Sequence, residues 1–264
     1  NIKTIITNES ISNSLKKNDS LKILKYWFKV VIFKLTDGFF SYGIQSNDFL
    51  FKHKVDKKKI LSFLNTFDKS KFQVSNDRNL SIDFKFVLFV GRLSEEKNLL
   101  DLIDSFEVIS KKITDLKLII IGDGPERGTL LRQINQLNMS QKIHLLGTIK
   151  WSQLAEYYQR AKCLLLPSKS ETWGMVANEA QELNLPVICS KSCGCADDLI
   201  IDNYSGLVIH DQFNSEKNNE KIIYFLENKT GKALDQFINN NKKIFNLDRL
   251  AMEMNRGFHY LFDK

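Results

Sequence analysis

Two carboxylates eight positions apart, Glu171 and Glu179, flank a glycine, Gly174, in the stretch LLLPSKSETWGMVANEAQE. A short apolar run, Cys163-Leu164-Leu165-Leu166, precedes them and reads as a buried strand that Pro167 and Ser168 end. A polar loop follows, from Lys169 to Trp173, and the pattern turns helical at Met175. Strand, loop and helix N-terminus in that order is where open α/β sheets hold ligands. The first-turn N–H groups of such a helix favour an anion, typically a phosphate. The predicted chemistry is a phosphate-bearing ligand at Gly174, Met175 and Val176, with its neutral hydroxyls held by Glu171 and Glu179.

Two further stretches carry candidate chemistry. Gly91-Arg92-Leu93-Ser94-Glu95-Glu96-Lys97-Asn98 follows an apolar run and offers two cations. Gly91 allows close backbone approach. Arg92 and Lys97 can meet a diphosphate as a fork and as a point charge. Taken singly, such a pair is an ordinary surface feature. Gly122-Asp123-Gly124-Pro125 follows a second apolar run. It fails as a dinucleotide fingerprint, because the third glycine would fall on Arg127, and it reads as a tight turn.

Strands alternating with helices must position these loops. Continuous apolar runs at 84–91, 116–124, 142–147, 163–166, 186–190 and 206–209 have the character of buried parallel strands. Helical patterns separate them: Glu96 to Ile109, Pro125 to Leu137, 151–161, 175–184 and a short one at 196–201. The tail, 214–263, reads as helices. The predicted fold class is α/β, a doubly wound parallel sheet with right-handed crossovers, preceded by a partial second α/β domain. Within that preceding domain, residues 2–6, 36–43 and 60–64 read as short strands and 8–20 as a loop. Residues 21–35 read as a basic amphipathic helix packed on its own domain, and 46–54 as a helix capped by Ser46 or Asn47. The polar stretch 65–82 reads as a linker, dividing the chain into residues 1–80 and 81–264.

With 264 residues and 43% apolar side chains the chain can build a real core, which argues against disorder. No apolar run approaches the roughly 18 residues of a transmembrane helix. The net charge of +7 resides in the first 80 residues, where 15 Lys and Arg face 7 Asp and Glu; the rest holds 23 against 24. No interleaving of aromatic and basic residues favours nucleic acid as a partner. A solvated lysine-rich surface is the plain reading; peripheral contact with an anionic membrane face is the functional one. The four cysteines, Cys163, Cys189, Cys193 and Cys195, sit in or beside apolar runs, as reduced thiols of a cytoplasmic protein do. Cys193 and Cys195 alone make a poor zinc site. Starting on Asn1, with no signal-peptide layout, the sequence reads as a fragment of a longer chain.

Together GRLSEEKN, GDGP and PSKSETWGMVANEAQ, in that order and spacing, resemble the C-terminal donor-binding domain of retaining GT-B glycosyltransferases, with family 4, "group 1", the closest match. The likeness covers 84–264 well, and 37–68 resembles the end of the family's N-terminal domain. The resemblance implies a glycosyltransferase that moves a sugar from a nucleotide-diphosphate sugar to a glycan, glycolipid or small-molecule acceptor, with retention and with no metal or other cofactor. It implies that Arg92 and Lys97, beside Gly91, neutralise the donor diphosphate and the leaving nucleoside diphosphate. Glu171 then contacts the transferred sugar and Glu179 the ribose hydroxyls. The backbone of Trp173, Gly174, Met175 and Val176 meets sugar and phosphate. The segment holding Leu146, Gly147 and Ile149 meets the nucleobase. Glu171, Lys97 and Arg92 are the residues expected to carry catalysis.

The sequence also departs from the family. Ser192-Cys193-Gly194-Cys195-Ala196-Asp197-Asp198 stands where a Gly-Gly-x-x-Glu stretch is common, and residues 1–80 show no Gly-rich loop and no His or Asp of the family's first domain. Two other readings fit some of the pattern: a donor-nucleotide-binding module without catalysis, and another GT-B enzyme such as a sugar-nucleotide epimerase.

Overall fold

A strand covered on both faces must be apolar where it is covered, and β4 (Lys85–Val90) meets that condition from Phe86 onward, only Lys85 being exposed. Phe86, Leu88 and Val90 enter one hydrophobic cluster, and Val87 and Phe89 enter a second on the opposite face. The computed structural model describes residues 3–8, 22–68, 72, 82–228 and 247–262. In it β4 lies inside a six-stranded parallel sheet with β5 (Leu116–Ile121), β6 (Ile143–Gly147), β7 (Leu164–Leu166), β8 (Val187–Ser190) and β9 (Gly206–Ile209). The strand order is β6-β5-β4-β7-β8-β9. The order reverses direction between β4 and β7, so the loops leaving these neighbours diverge and open a crevice at their carboxyl ends.

The helices between these strands are α3 (Leu99–Lys112), α4 (Arg127–Gln136), α5 (Trp151–Arg160), α6 (Met175–Glu182) and the short α7 (Ala196–Leu199). The predicted start of α3 at Glu96 is corrected. A 3-10 turn, Glu95–Lys97, comes first, and Asn98 then adopts a left-handed conformation (φ 57°) before the helix begins at Leu99. Asn tolerates that conformation, and it breaks the helical run that the side-chain pattern continues through. The second strand also stops at Ile121, before Gly122-Asp123-Gly124.

A smaller parallel sheet, β1-β2-β3, precedes the large one. It consists of β1 (Ile5–Asn8), β2 (Gly38–Tyr42) and β3 (Ile60–Phe63), with α1 (Lys22–Leu35) and α2 (Ile44–Lys52) between them. The first strand thus lies at 5–8 and not 2–6. The cap of α2 is likewise corrected: it is Gly43 (φ 80°), and neither Ser46 nor Asn47. Ser46 is instead buried, accepting from the Asn8 side-chain amide and donating to the Asn8 carbonyl at 2.8 Å. Most of the predicted loop at 8–20 and most of the linker at 65–82 lie outside the described residues. So does 229–246 of the predicted helical tail, which otherwise contains α8 (Glu216–Asn228) and α9 (Leu247–Phe262). α9 returns to the small sheet: a Cβ on Gly257 would stand 2.5 Å from Leu61, and one on Gly38 2.3 Å from Leu261.

The two sheets meet through α2. Its first amide, Ile44 N–H, donates to Asp198 Oδ2 at 2.9 Å, so a carboxylate from α7 caps a helix of the other sheet. Gln45 donates to the carbonyls of Lys191 and Cys193, both at 3.0 Å. Any side chain at position 43 would collide with Trp173 and Asp198.

Burial pushes the Asp198 carboxyl up to about 6, against the opposing pull of the Ile44 N–H and with a further push from Asp197. The folded state therefore holds a proton on this group between pH 4 and 6 that a solvated Asp would release, and Asp198 weakens the docked fold as pH rises through about 6. Asp198→Asn keeps an oxygen acceptor for Ile44. We expect it to raise the melting temperature by roughly 3 °C at pH 7.5, with the gain fading towards pH 4; calorimetry across that range checks it.

Candidate donor-binding site

The loop after β4 is locked to the loop after β5 by backbone contacts. Gly91 N–H donates to Ile121 O at 3.0 Å, and Leu93 N–H to Asp123 O at 2.9 Å. A Cβ on Gly122 would lie 1.8 Å from Gly91 O, which explains a glycine here without any fingerprint. The 3-10 turn then directs Lys97 towards the crevice. Glu96 faces away from that role: the Ser94 hydroxyl donates to it at 2.6 Å and holds its carboxyl below the usual range, helped by Lys97 and Arg92.

The loop after β7 is held from two sides. Lys169 N–H donates to Glu96 O at 2.8 Å, which joins it to the β4 loop. On the other side it runs parallel to the segment after β8. Glu171 N–H donates to Ser192 O (3.2 Å), Gly194 N–H to Glu171 O (2.9 Å) and Cys195 N–H to Trp173 O (3.0 Å). Gly194 makes this ladder possible, since a Cβ there would lie 1.9 Å from Thr172 O. Gly174, at φ 97°, then turns the chain into α6. Helix geometry leaves the first two amides of α6, those of Met175 and Val176, without intrahelical partners, and Ala177 N–H is the first to pair, with Gly174 O at 2.8 Å.

The structure brings Lys97 and Glu171 together as a direct ion pair between Nζ and Oε2, both side chains less than a fifth exposed. The family resemblance implied Lys97 on a diphosphate; the structure pairs it with a carboxylate of the same site. Arg92, by contrast, is exposed. Trp173 is a buried anchor. Its indole donates to Asn178 Oδ1 at 2.7 Å, and Asn178 in turn donates to Asn65 O at 3.0 Å, towards the small sheet. Its side chain is therefore spent on packing, and its backbone alone borders the loop.

Glu179 lies one turn into α6, and burial raises its carboxyl above the ordinary range. The Tyr158 hydroxyl donates to Oε2 at 2.8 Å, and the Trp151 side chain donates to the same carboxylate. Sequence reading missed both, because an aromatic pattern in α5 is indistinguishable from core packing until α5 meets α6. It also missed Arg127. That guanidinium approaches Gly147, with Nη1 3.9 Å from where a Cβ would stand, and Nη1 is buried without a hydrogen-bond partner. Gly147 (φ 73°) closes β6 and accepts from Gly122 N–H at 2.8 Å. Leu146 is exposed and Ile149 packs against the core.

The remaining candidates are structural. The four cysteines are free and buried; Cys193 pairs by backbone with Glu171, and Cys195 Sγ lies 3.5 Å from a Cβ position on Gly174. No cluster of metal-ligating side chains occurs among the described residues.

A family model described as "Glycosyl transferases group 1" matches residues 69–244. This chain is a group 1 glycosyltransferase family member. It is 30% identical over 187 residues to an uncharacterized glycosyltransferase, MJ1178, of Methanocaldococcus jannaschii, covering 69% of this chain and 50% of that protein. To the alpha-monoglucosyldiacylglycerol synthase of Acholeplasma laidlawii it is 34% identical over 120 residues, 46% of this chain and 29% of that one. The group 1 chain thus spans about half the length, or less, of the curated relatives it matches. Its fold is that of GT-B structures. Sucrose-phosphate synthase from Thermosynechococcus elongatus superimposes with a TM-score of 0.79 at 21% identity, over 98% of this chain and 68% of that one. Anabaena Alr3699/HepE in complex with UDP gives 0.81 at 17%, over 97% and 72%. The predicted α/β class and the family resemblance are both borne out.

Gly194→Ala should cost this group 1 glycosyltransferase on the order of 2–3 kcal/mol in chemical denaturation, because backbone must move. Gly128→Ala, whose Cβ meets nothing within 4 Å, should leave stability unchanged or slightly raised.

Proposed function

We propose that this group 1 glycosyltransferase transfers a sugar from a nucleotide-diphosphate sugar to a glycan, glycolipid or small-molecule acceptor, with retention of configuration. The observation that carries the reading is the Lys97–Glu171 pair at the switch point, beside the N-terminus of α6. In this reading residues 81–264 bind the donor, and residues 1–80 belong to an acceptor-side domain.

The chemistry follows from charge. The bond between the anomeric carbon and the diphosphate oxygen breaks, and negative charge grows on the departing diphosphate. Lys97, Arg92 and the α6 N-terminus offset that charge. The acceptor oxygen attacks from the same face, and its proton passes to the leaving oxygen. Glu171, released from Lys97 as the diphosphate takes the ammonium, accepts hydrogen bonds from hydroxyls of the sugar. Glu179 accepts the ribose hydroxyls, the amides of Gly174, Met175 and Val176 meet the phosphate, and Leu146 to Ile149 border the base. The mechanism needs no metal or other cofactor.

Thermal-shift assays with UDP, GDP and ADP test the donor site. We expect one of them to raise the melting temperature by roughly 5–10 °C at a hundredfold excess over its Kd. Lys97→Ala should lose most of that shift and reduce transfer by about a hundredfold or more. No shift with any nucleotide overturns the reading; binding without transfer leaves a donor-binding module.

We also propose that the protein is cytoplasmic and touches the inner membrane face. Support comes from α1, which exposes Ile23, Leu24, Trp27, Phe28, Val31, Ile32 and Leu35 together with Lys25 and Lys34. No helix among the described residues is long and apolar enough to cross a membrane. Flotation should recover the protein with phosphatidylglycerol vesicles at low salt, and much less with phosphatidylcholine or at high salt. Equal recovery in all conditions counts against it, as does no difference on replacing Trp27 and Phe28 by Ser.

A further inference from the structure

Among the polar groups around the crevice, Glu179 is a carboxylate whose burial is met by two aromatic donors. It is a largely enclosed carboxylate on an eight-residue helix, facing α5. We propose that Tyr158 is a positioning residue for Glu179, fixing the carboxylate by a hydrogen bond so that its remaining lone pairs present to the two hydroxyls of a donor ribose. The proposal rests on the donor-site reading above.

The geometry makes Tyr158 a fixed partner of Glu179. Its side chain is fully buried, and its hydroxyl lies 2.8 Å from Glu179 Oε2. Burial and the neighbouring Glu179 push its phenol well above the ordinary value, so the hydroxyl keeps its proton and donates it to the ionised carboxylate. Its ring cannot swing away. Phe72 packs edge-on against it at 5.6 Å between centroids, and Phe72 also stacks at 5.5 Å on Trp151. Trp151, two turns earlier on the same face of α5, supplies the second donation to the same carboxylate.

Two consequences follow for Glu179. A carboxylate has about four lone-pair sites, so two donations fix its rotamer and still leave acceptors for a vicinal diol. The same donations offset the burial that would otherwise drive Glu179 to its neutral form. A protonated Glu179 would present a donor where two hydroxyls need acceptors. The hydrogen bond therefore sets both the direction of the carboxylate and the lowest pH at which it can serve.

The test uses the chain as it stands, with the nucleoside diphosphate among UDP, GDP and ADP that gives the largest thermal shift. Tyr158→Phe keeps the ring that packs on Phe72 and removes only the hydroxyl. We expect about tenfold weaker binding by calorimetry at pH 7. We also expect the pH below which affinity is lost to move up, because Glu179 then titrates higher. Trp151→Phe should move that midpoint the same way. Carbon-detected NMR titration of the Glu179 carboxyl in the free protein should show the same rise. Loss of thermal stability with no change in the pH midpoint would mean a packing role alone and overturn the proposal. So would wild-type affinity in Tyr158→Phe when Glu179→Ala weakens binding. If the unaltered chain binds none of the three nucleotides, the donor-site reading fails and the proposal falls with it.

Discussion

The ion pair between Lys97 and Glu171 joins the two loops that diverge at the switch point between β4 and β7. Parallel strands leave their loops at one edge of the sheet, and at the reversal of strand order those loops separate to opposite sides. Something must hold them at a fixed spacing if the gap is to be a binding site. The backbone contributes through Lys169 N–H on Glu96 O. The side chains complete it with opposite charges that are largely removed from water. Each charge gives the other a partner in a place where either alone would be costly. A ligand carrying phosphate and hydroxyls can take over both halves of the pair, phosphate on the ammonium and hydroxyl on the carboxylate.

Around that pair the protein spends backbone rather than side chains. The segment 192–195 lies against 171–173 as an extra rung beyond the sheet, and Gly194 permits the approach. Gly122 performs the same service between the β4 and β5 loops. Loops tied by main-chain hydrogen bonds tolerate variation in side chains. The cysteine-bearing stretch forms this ladder through its main chain, with the thiols filling core volume behind the site.

The small sheet is coupled to the same loops. Trp173, next to the helix N-terminus, is fixed by Asn178, which reaches Asn65. Asp198, just past the ladder, caps α2, and Gln45 reads the carbonyls of Lys191 and Cys193. Contacts between the sheets thus include residues that neighbour or pair with Glu171 and Gly174. Cleft geometry and loop geometry are one mechanical unit here, joined by a half-buried carboxyl that burial raises.

Much of this was legible in the residues alone. Continuous apolar runs separated by helical patterns dictated a parallel sheet, because only strands covered on both faces can be apolar throughout. The order of Arg92, Lys97, Glu171 and Glu179 along those runs put them at one edge. The sequence could not decide where helices begin, as Asn98 and Gly43 show. A left-handed residue and a cap borrowed from another sheet leave the side-chain periodicity unchanged. Nor could it find Tyr158, Trp151 or the Asp198 cap, whose partners lie 21, 28 and 154 positions away. Type and local spacing determine the elements and the chemistry they can offer. Only the tertiary fold decides which groups lose water and gain a partner, because burial and pairing belong to surfaces that distant segments make together.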